Sequence, residues 1–234
     1  MSIRVMAAAV ATAAGLALAF GGLALSADAA TSPRVQLTGT QLLAALLPAS
    51  DFPAGYKLEK SGIYDSGSHL LTAPAKYNLA TQSCRSFSKT FGQRGFGETA
   101  VAADAFSNGG SALKAKLFGQ QVYQFKTSRV AAGFYSALRA IVHRCPRFAF
   151  IGIPASAKVT TKIFDGPSIG GHKTFEIDQS GTISGFKLGF KLVFTVAGQD
   201  LFSTGNVGVL TAPPTSPPPR TTMLRLIHRV SAFR

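Results

Sequence analysis

The stretch Phe186-Lys187-Leu188-Gly189-Phe190-Lys191-Leu192-Val193-Phe194-Thr195-Val196 decides the fold class of this chain. Its apolar residues alternate, and the same side of a strand would carry Phe186, Leu188, Phe190, Leu192, Phe194 and Val196. Successive strand side chains point to opposite sides of a sheet, so the pattern predicts an antiparallel strand with one buried face and one wet face. Ala197-Gly198-Gln199-Asp200 then predicts a tight turn into a second strand over 201–210.

Strands and helices are both predicted elsewhere in the chain. Further strands are expected at 98–106, in a segment ending at 125, and at 147–153, 159–164 and 173–178. Helices are expected at 41–47 after a cap at Thr38 or Thr40, around residue 84, at 128–145, and from about residue 222. The 128–145 helix has the clearest apolar stripe, formed by Val130, Phe134, Leu138, Ile141 and Cys145, with Ser128 as its expected N-cap. These patterns predict an α+β fold with a single twisted antiparallel sheet packed with helices.

Residues 1–29 have the composition of an export signal. Arg4 precedes an apolar segment over 5–25, and Ala27-Asp28-Ala29 places small residues before a cut after Ala29. The alternative is that the segment stays uncleaved as a membrane anchor. No cysteine stands at the cut and no second apolar run of membrane-spanning length follows, so we expect no lipid anchor and no transmembrane segment after cleavage. Residues 30–234 are expected to form one domain, with a Pro-rich link at 211–220 before the C-terminal helix.

The chain is strongly basic, with a formal net charge of +14. Loss of residues 1–29 would remove Arg4 and Asp28 together, which leaves this charge unchanged. Outside a cell, the anionic partners for such a protein are phosphate-bearing wall polymers and acidic lipid headgroups. Nucleic acid is not expected as a partner, because neither zinc-finger spacing nor a basic heptad helix is present. The alternative is that the excess charge only keeps the surface solvated.

Cys84 and Cys145 are the two cysteines of the chain. Exported proteins meet an oxidising compartment, so we expect them to form a disulfide. Neither has a second Cys or His at ligand spacing, which disfavours a metal site. We predict no metal and no cofactor, since a phosphate-binding glycine loop is also missing from the sequence.

The stretch Gly166-Pro167-Ser168-Ile169-Gly170 matches the pattern of a hydrolase nucleophile elbow, and Asp178 or Asp200 followed by His228 has the matching chain order. The elbow requires a helix directly after the serine, whereas Gly170-Gly171 here leads into a predicted strand. The stretch therefore predicts a tight connection between strands, and we expect no catalytic residues. A secreted hydrolase of an envelope ester or glycan, using Ser168 or the carboxylates Glu176 and Asp178, is the alternative.

His172, Glu176 and Asp178 share one side of the predicted strand over 172–178, together with Thr174. Such a row could bind a cationic ligand or transfer a proton, and the alternative is a solvated outer face. The rings of Phe186, Phe190 and Phe194 could form one wall of an apolar pocket. We therefore predict a ligand cleft over the sheet, bounded by the 128–145 helix and the hairpin over 186–210, with these six residues as candidate binding residues.

Several stretches together resemble the extracellular sensor domain of actinobacterial PknH-like serine/threonine kinases, a family that includes stand-alone exported proteins. The likeness rests on the 41–47 helix followed by Asp51-Phe52-Pro53, on Ser83-Cys84, on Tyr123-Gln124-Phe125 leading into 131–135, on Cys145, and on Gly205-Asn206-Val207. It implies an antiparallel sheet with helices around a concave cleft, and a ligand-sensing role without catalysis. The sequence departs from the family in having no tryptophan. We expect an exported, non-catalytic, sensor-like domain that is secreted or retained at the cell envelope. Its expected ligand is a small molecule or an anionic envelope polymer. A wall-associated structural protein held by charge is the further alternative.

Overall fold

The structure of the protein is a computed structural model that describes residues 35–90, 94–108, 116–146, 158–183, 186–209 and 218–234. The predicted export signal over 1–29, the predicted strand over 147–153 and most of the Pro-rich link lie outside the described residues.

One antiparallel sheet of eight strands forms the centre of the described part of the chain. Its strands follow the spatial order β1-β3-β4-β8-β7-β6-β5, and β2 also pairs with β3. The strands are β1 (Lys57–Leu58), β2 (Tyr64–Asp65), β3 (Glu98–Ser107), β4 (Lys116–Phe125), β5 (Lys158–Ile169), β6 (His172–Ile183), β7 (Phe186–Ala197) and β8 (Asp200–Val209). The helices are α1 (Gly39–Ala45), α2 (Cys84–Thr90), α3 (Ser128–Arg144) and α4 (Pro219–Ala232). The predicted fold class, α+β with an antiparallel sheet and packed helices, is confirmed.

The turns at the ends of β5 and β7 have the conformations that their glycines predict. Gly170 and Gly171 have φ values of +57° and +82°, and they join Ile169 to its partner His172 in a two-residue hairpin turn. Residues with a Cβ rarely adopt positive φ, so glycine is favoured at both positions. Ala197 pairs with Asp200 in the same way at the predicted β7–β8 hairpin.

The two faces of the sheet carry separate hydrophobic clusters. The α3 face packs against α3 and α2, and its buried residues include Val101, Tyr123, Phe175, Phe194 and Leu201. The α4 face packs against α1 and α4, and its buried residues include Ala102, Val122, Val193, Phe202 and Leu226. The β7 strand contributes to both clusters, as its period of two requires.

The prediction that one face of β7 contacts solvent is wrong for the half of the strand nearest the β7–β8 turn. Val193 and Thr195, expected on the wet side, are fully buried. Helix α4 covers this side of the sheet with Met223, Leu226 and Val230. The alternation in β7 correctly separated the two faces, but it did not show that a second layer of helices covers the more polar one.

Three of the described helix starts differ slightly from the prediction, and α1 begins at Gly39 instead of Gln41. Thr38 caps α1 as expected, and a capping box joins it to Gln41. The N-cap of α3 is Thr127, whose Oγ1 accepts a hydrogen bond from Val130 N at 3.3 Å, and not the predicted Ser128. Helix α4 begins at Pro219, before the predicted start near residue 222, because proline has no N–H to lose at the first position of a helix.

A disulfide joins Cys84, at the start of α2, to Cys145, directly after α3. The predicted pairing is therefore confirmed. The bond fixes the short helix α2 against the end of the long helix on the α3 face.

Candidate functional site

The predicted row of polar residues on β6 lies on the α4 face, where the helix covers part of it. Glu176 is fully buried and pairs with two cations from different elements. Arg220, in the first turn of α4, donates from Nε to Glu176 Oε1 at 2.5 Å. Lys191 Nζ on β7 lies 3.2 Å from Oε2, close enough for an ion pair although the angles are not those of a hydrogen bond. The carboxylate of Glu176 therefore joins α4 to the sheet, which corrects the expectation of a freely accessible acidic row.

A glycine makes room for this ion pair. A Cβ on Gly166 of β5 would lie 2.8 Å from Glu176 Oε1 and would also overlap the hydroxyl of Thr174. Real Cβ atoms do not approach other heavy atoms so closely. Gly166 thus leaves room for the ends of two β6 side chains, which a larger residue would have to displace, and it does not belong to a nucleophile elbow.

The other two members of the predicted row are only partly buried. Asp178 lies 4.0 Å from Lys191 Nζ, and burial raises the pKa of this carboxyl while Lys191 opposes the rise. His172 begins β6 directly after the Gly170-Gly171 turn. The row therefore has a buried centre at Thr174 and Glu176, and His172 and Asp178 on either side keep some contact with solvent.

Two of the three predicted aromatic binding residues are core residues. Phe194 is 0% exposed and Phe190 is 4% exposed, and both belong to the cluster beneath α3. The Phe194 ring stacks on Phe175 with centroids 4.9 Å apart. The Phe186 side chain lies outside the described residues. Phe190 and Phe194 thus have almost no surface to offer a ligand, because the helix expected to border a cleft packs directly on them.

A groove of about 450 Å³ lies beside this packed region, between α3 and the hairpin of β5 and β6. It is lined by Tyr135, Ser136, Arg139, Asp165, Gly166, Ser168, Lys173 and Thr174. We call it the α3–hairpin groove. The predicted cleft was bounded by the same helix, but its other wall is the β5–β6 hairpin instead of the hairpin over 186–210.

The floor of the α3–hairpin groove rests on the aromatic core. Tyr135 contacts Phe175 with ring centroids 5.2 Å apart, and Phe175 in turn stacks on Phe194. Phe194 therefore supports a groove residue through one intervening ring. Packing of this kind limits the rotamers that Tyr135 can adopt.

A bidentate ion pair crosses the α3–hairpin groove. Arg139 of α3 donates from Nε and Nη2 to the two carboxylate oxygens of Asp165 on β5, at 2.8 and 2.7 Å. The side chains are 40% and 64% exposed, respectively. Exposed pairs of this kind contribute about 0–1 kcal/mol to folding stability, so this one holds the fold together only weakly.

Basic groups dominate the electrostatics of the groove. The hydrogen bonds from Arg139 lower the pKa of Asp165, and the nearby charges of Arg139, His143 and Lys173 lower it further. Burial, with a smaller contribution from Asp165, raises the pKa of Tyr135 to about 12. Its phenol therefore keeps its proton at neutral pH and can donate a hydrogen bond into the groove.

Ser168 lines the groove but does not occupy a nucleophile elbow. It lies within β5, at an irregularity in the pairing with β6 between Gly166 and Ile169, and a two-glycine turn follows it. The structure thus agrees with the predicted strand connection. Asp200, one of the acids with hydrolase chain order, is buried and accepts hydrogen bonds from Arg234 at 2.5 and 2.7 Å.

Sequence reasoning missed the pairing of Arg139 with Asp165 and the contribution of Tyr135 and Lys173. Arg139 is recognisable as a residue off the apolar stripe of its helix, but no spacing in the sequence relates it to a strand that follows much later. Only the docking angle of α3 on the sheet brings these side chains together. A glycine-rich turn was the one sequence signal for the location of the groove.

A smaller cavity, of about 280 Å³, lies beside the disulfide and is lined by Cys84, Arg85, Ser88, Arg144, Cys145 and Pro146. Arg144 donates to the carbonyl oxygens of Leu79 and Gln82, so its guanidinium already holds the loop before α2. Within the described ranges, no three His, Cys, Asp or Glu side chains form a group that could hold a metal ion. In the same ranges, no helix has the length and apolar character needed to cross a bilayer.

Comparison with solved structures shows a distant structural likeness. No protein-family model and no curated protein matches the chain. The chain is similar to the crystal structure of the extracellular domain of PknH from Mycobacterium tuberculosis, with 14% sequence identity and a TM-score of 0.47, over 84% of this chain and 97% of that one. A likeness at this level does not assign the chain to a family, and it transfers no function.

Proposed function

We propose that this chain is an exported, non-catalytic, sensor-like domain that binds a ligand at the cell envelope through the α3–hairpin groove. The observation that carries the proposal is the groove itself: a concavity of about 450 Å³ whose lining combines two cations, one carboxylate and several hydroxyls. Small-molecule sites are typically concavities of about 300–1,000 Å³ with a few convergent polar groups. The predicted binding role of His172 and Asp178, which flank the buried Glu176, remains a proposal for a second contact region.

Export is supported by the disulfide between Cys84 and Cys145, because such bonds persist in oxidising compartments. The composition of residues 1–29 and the net charge of +14 agree with a protein that acts among anionic envelope polymers. Binding without turnover is supported by the position of Ser168 within a strand, because an elbow would present the hydroxyl above a strand-to-helix turn.

The test is a titration of the secreted protein with three probes. Backbone amide NMR and thermal unfolding measure the binding of each probe. The probes are a neutral glucan oligosaccharide, a phosphate-bearing wall polysaccharide, and vesicles that contain phosphatidylglycerol. We expect at least one probe to shift the amide signals of Tyr135 and Lys173 saturably. Arg139→Gln should abolish that shift, because the guanidinium is the main donor group in the groove.

Arg129→Gln is the matched control, since Arg129 is an exposed cation on the same helix, about 15 Å further along the axis. A result in which no probe shifts the groove signals would refute the proposal. If the unchanged protein cleaves a probe and the Ser168→Ala variant does not, the result would instead support the hydrolase alternative. Binding that Arg139→Gln and Arg129→Gln weaken equally would support retention by general charge.

A further inference from the structure

We infer that the α3–hairpin groove recognises a phosphate ester of a small polyol, and that Asp165 is a built-in competitor that the phosphate displaces from Arg139. This inference rests on the proposed function and names the ligand chemistry of the same groove. It starts from the charge of the lining residues, of which Arg139 and Lys173 are cationic and Asp165 alone is acidic.

The geometry of the ion pair shows where an oxyanion can bind. Arg139 presents Nε and Nη2 to two oxygens at once, at 2.8 and 2.7 Å. This planar fork suits a phosphate as well as it suits a carboxylate. The Asp165 carboxylate therefore occupies the position that two oxygens of a bound phosphate would take.

The competitor is held loosely enough to be displaced. The Asp165 side chain is 64% exposed. Exposed ion pairs change an equilibrium constant by about fivefold or less, so a ligand loses little by opening this one. Once displaced, the carboxylate remains hydrated, because most of its surface already contacts water.

The remaining lining groups match the other parts of such a ligand. Lys173 adds a second positive charge to the groove. His143 lies close enough to lower the pKa of the Asp165 carboxyl. The Tyr135 phenol, whose pKa is raised to about 12 by burial, is a neutral hydrogen-bond donor. The hydroxyl of Ser136 already donates to the carbonyl oxygen of Ala132, so its oxygen is left as an acceptor for a ligand hydroxyl group.

Asp165→Asn separates this inference from a purely structural ion pair. The substitution keeps the shape of the side chain and removes the competing charge. Glycerol 3-phosphate should then bind up to about fivefold more tightly than it binds the unchanged protein, because the competing ion pair and the like charge next to the phosphate are gone. Arg139→Gln should weaken binding by about tenfold or more, since a charge-assisted bidentate contact is lost. Arg129→Gln should leave the affinity unchanged.

A second measurement uses the unchanged protein, so the test does not depend on how well the variants fold. The Nε–H NMR signal of Arg139 should move saturably with glycerol 3-phosphate and should stay in place with glycerol. An Asp165→Asn variant that binds glycerol 3-phosphate no better than the unchanged protein, together with an unmoved Arg139 signal, would overturn the inference.

Different experimental results would contradict the proposed binding function and the phosphate inference. If a neutral oligosaccharide shifts the groove signals while glycerol 3-phosphate does not, the phosphate inference is wrong and the proposed binding function stands. If no probe affects the groove, both are wrong. Vesicles that contain phosphatidylglycerol distinguish the sources of phosphate: Arg139-dependent vesicle binding assigns it to a lipid headgroup, and binding of glycerol 3-phosphate without vesicle binding assigns it to a soluble or wall-borne ester.

Discussion

At the scale of single residues, Asp104 has a buried carboxyl group whose ionised form is destabilised by loss of contact with water. It is 7% exposed on the α4 face, and burial raises its pKa to about 7, with a hydrogen bond from Gln120 opposing the rise. Its Oδ1 has no hydrogen-bond partner among the described residues. Because the folded state binds this proton more tightly than the unfolded state, the contribution of Asp104 to stability falls as pH rises from about 4 toward 7.

Asp104→Asn should therefore stabilise the protein at pH 8 by about 1–3 kcal/mol, because the variant does not ionise at this buried position. At about pH 3, below the pKa of Asp104 in both the folded and the unfolded state, the two proteins should have nearly the same free energy of unfolding. Urea unfolding at several pH values measures both quantities. A stability difference that does not change with pH would contradict the raised pKa.

Arg220 and Arg225 lie on the same helix and both bind a carboxylate, but they differ in the burial of that carboxylate. Arg220 binds the fully buried Glu176, whereas Arg225 binds Asp51, which is partly exposed. Arg220→Gln should cost about 1–3 kcal/mol of stability, because it leaves a buried charge with Lys191 alone. Arg225→Gln should cost about 1 kcal/mol or less. Equal losses in urea unfolding would show that the burial of Glu176 does not matter.

At the scale of elements, β7 supports the groove without lining it. Phe194→Ala should cost about 3–5 kcal/mol of stability, because it leaves a cavity under α3 next to Phe175. Phe164→Ala is the control: this ring is 37% exposed on β5, and its loss should cost about 1 kcal/mol or less. Thermal and urea unfolding measure both changes. A Phe194→Ala variant that keeps full stability but loses ligand binding would return Phe194 to the binding residues.

At the scale of the whole molecule, the net charge of +14 should control how the protein is held at the envelope. The screening length falls from about 10 Å at 0.1 M salt to about 3 Å at 1 M. Protein retained by charge should therefore wash off cell envelopes between these concentrations, as measured by blotting the wash fractions. Retention that persists at 1 M salt and yields only to detergent would point to an uncleaved segment over 1–29.

Much of the architecture was predictable from local sequence patterns. The alternation in β7, the glycines at 170 and 171, and the threonine cap of α1 each act over a few residues, so they could be read before any tertiary contact was known. The disulfide was predictable because the sequence has two cysteines to pair. The cover over Val193 and Thr195 was not, because no local pattern showed that α4 would pack on that side of β7.

The sequence by itself determined the class of the fold, the identity of the disulfide and the two faces of its central strands, since these depend on periodicity and on residue type. Only the tertiary structure decided which polar residues are available to a ligand. Glu176 looked accessible in sequence and is buried by Arg220 and α4, whereas Arg139 and Asp165 showed no relation and face each other across the α3–hairpin groove. The physical reason is that burial and charge pairing depend on how helices dock on the sheet, and docking joins residues that are distant in the chain.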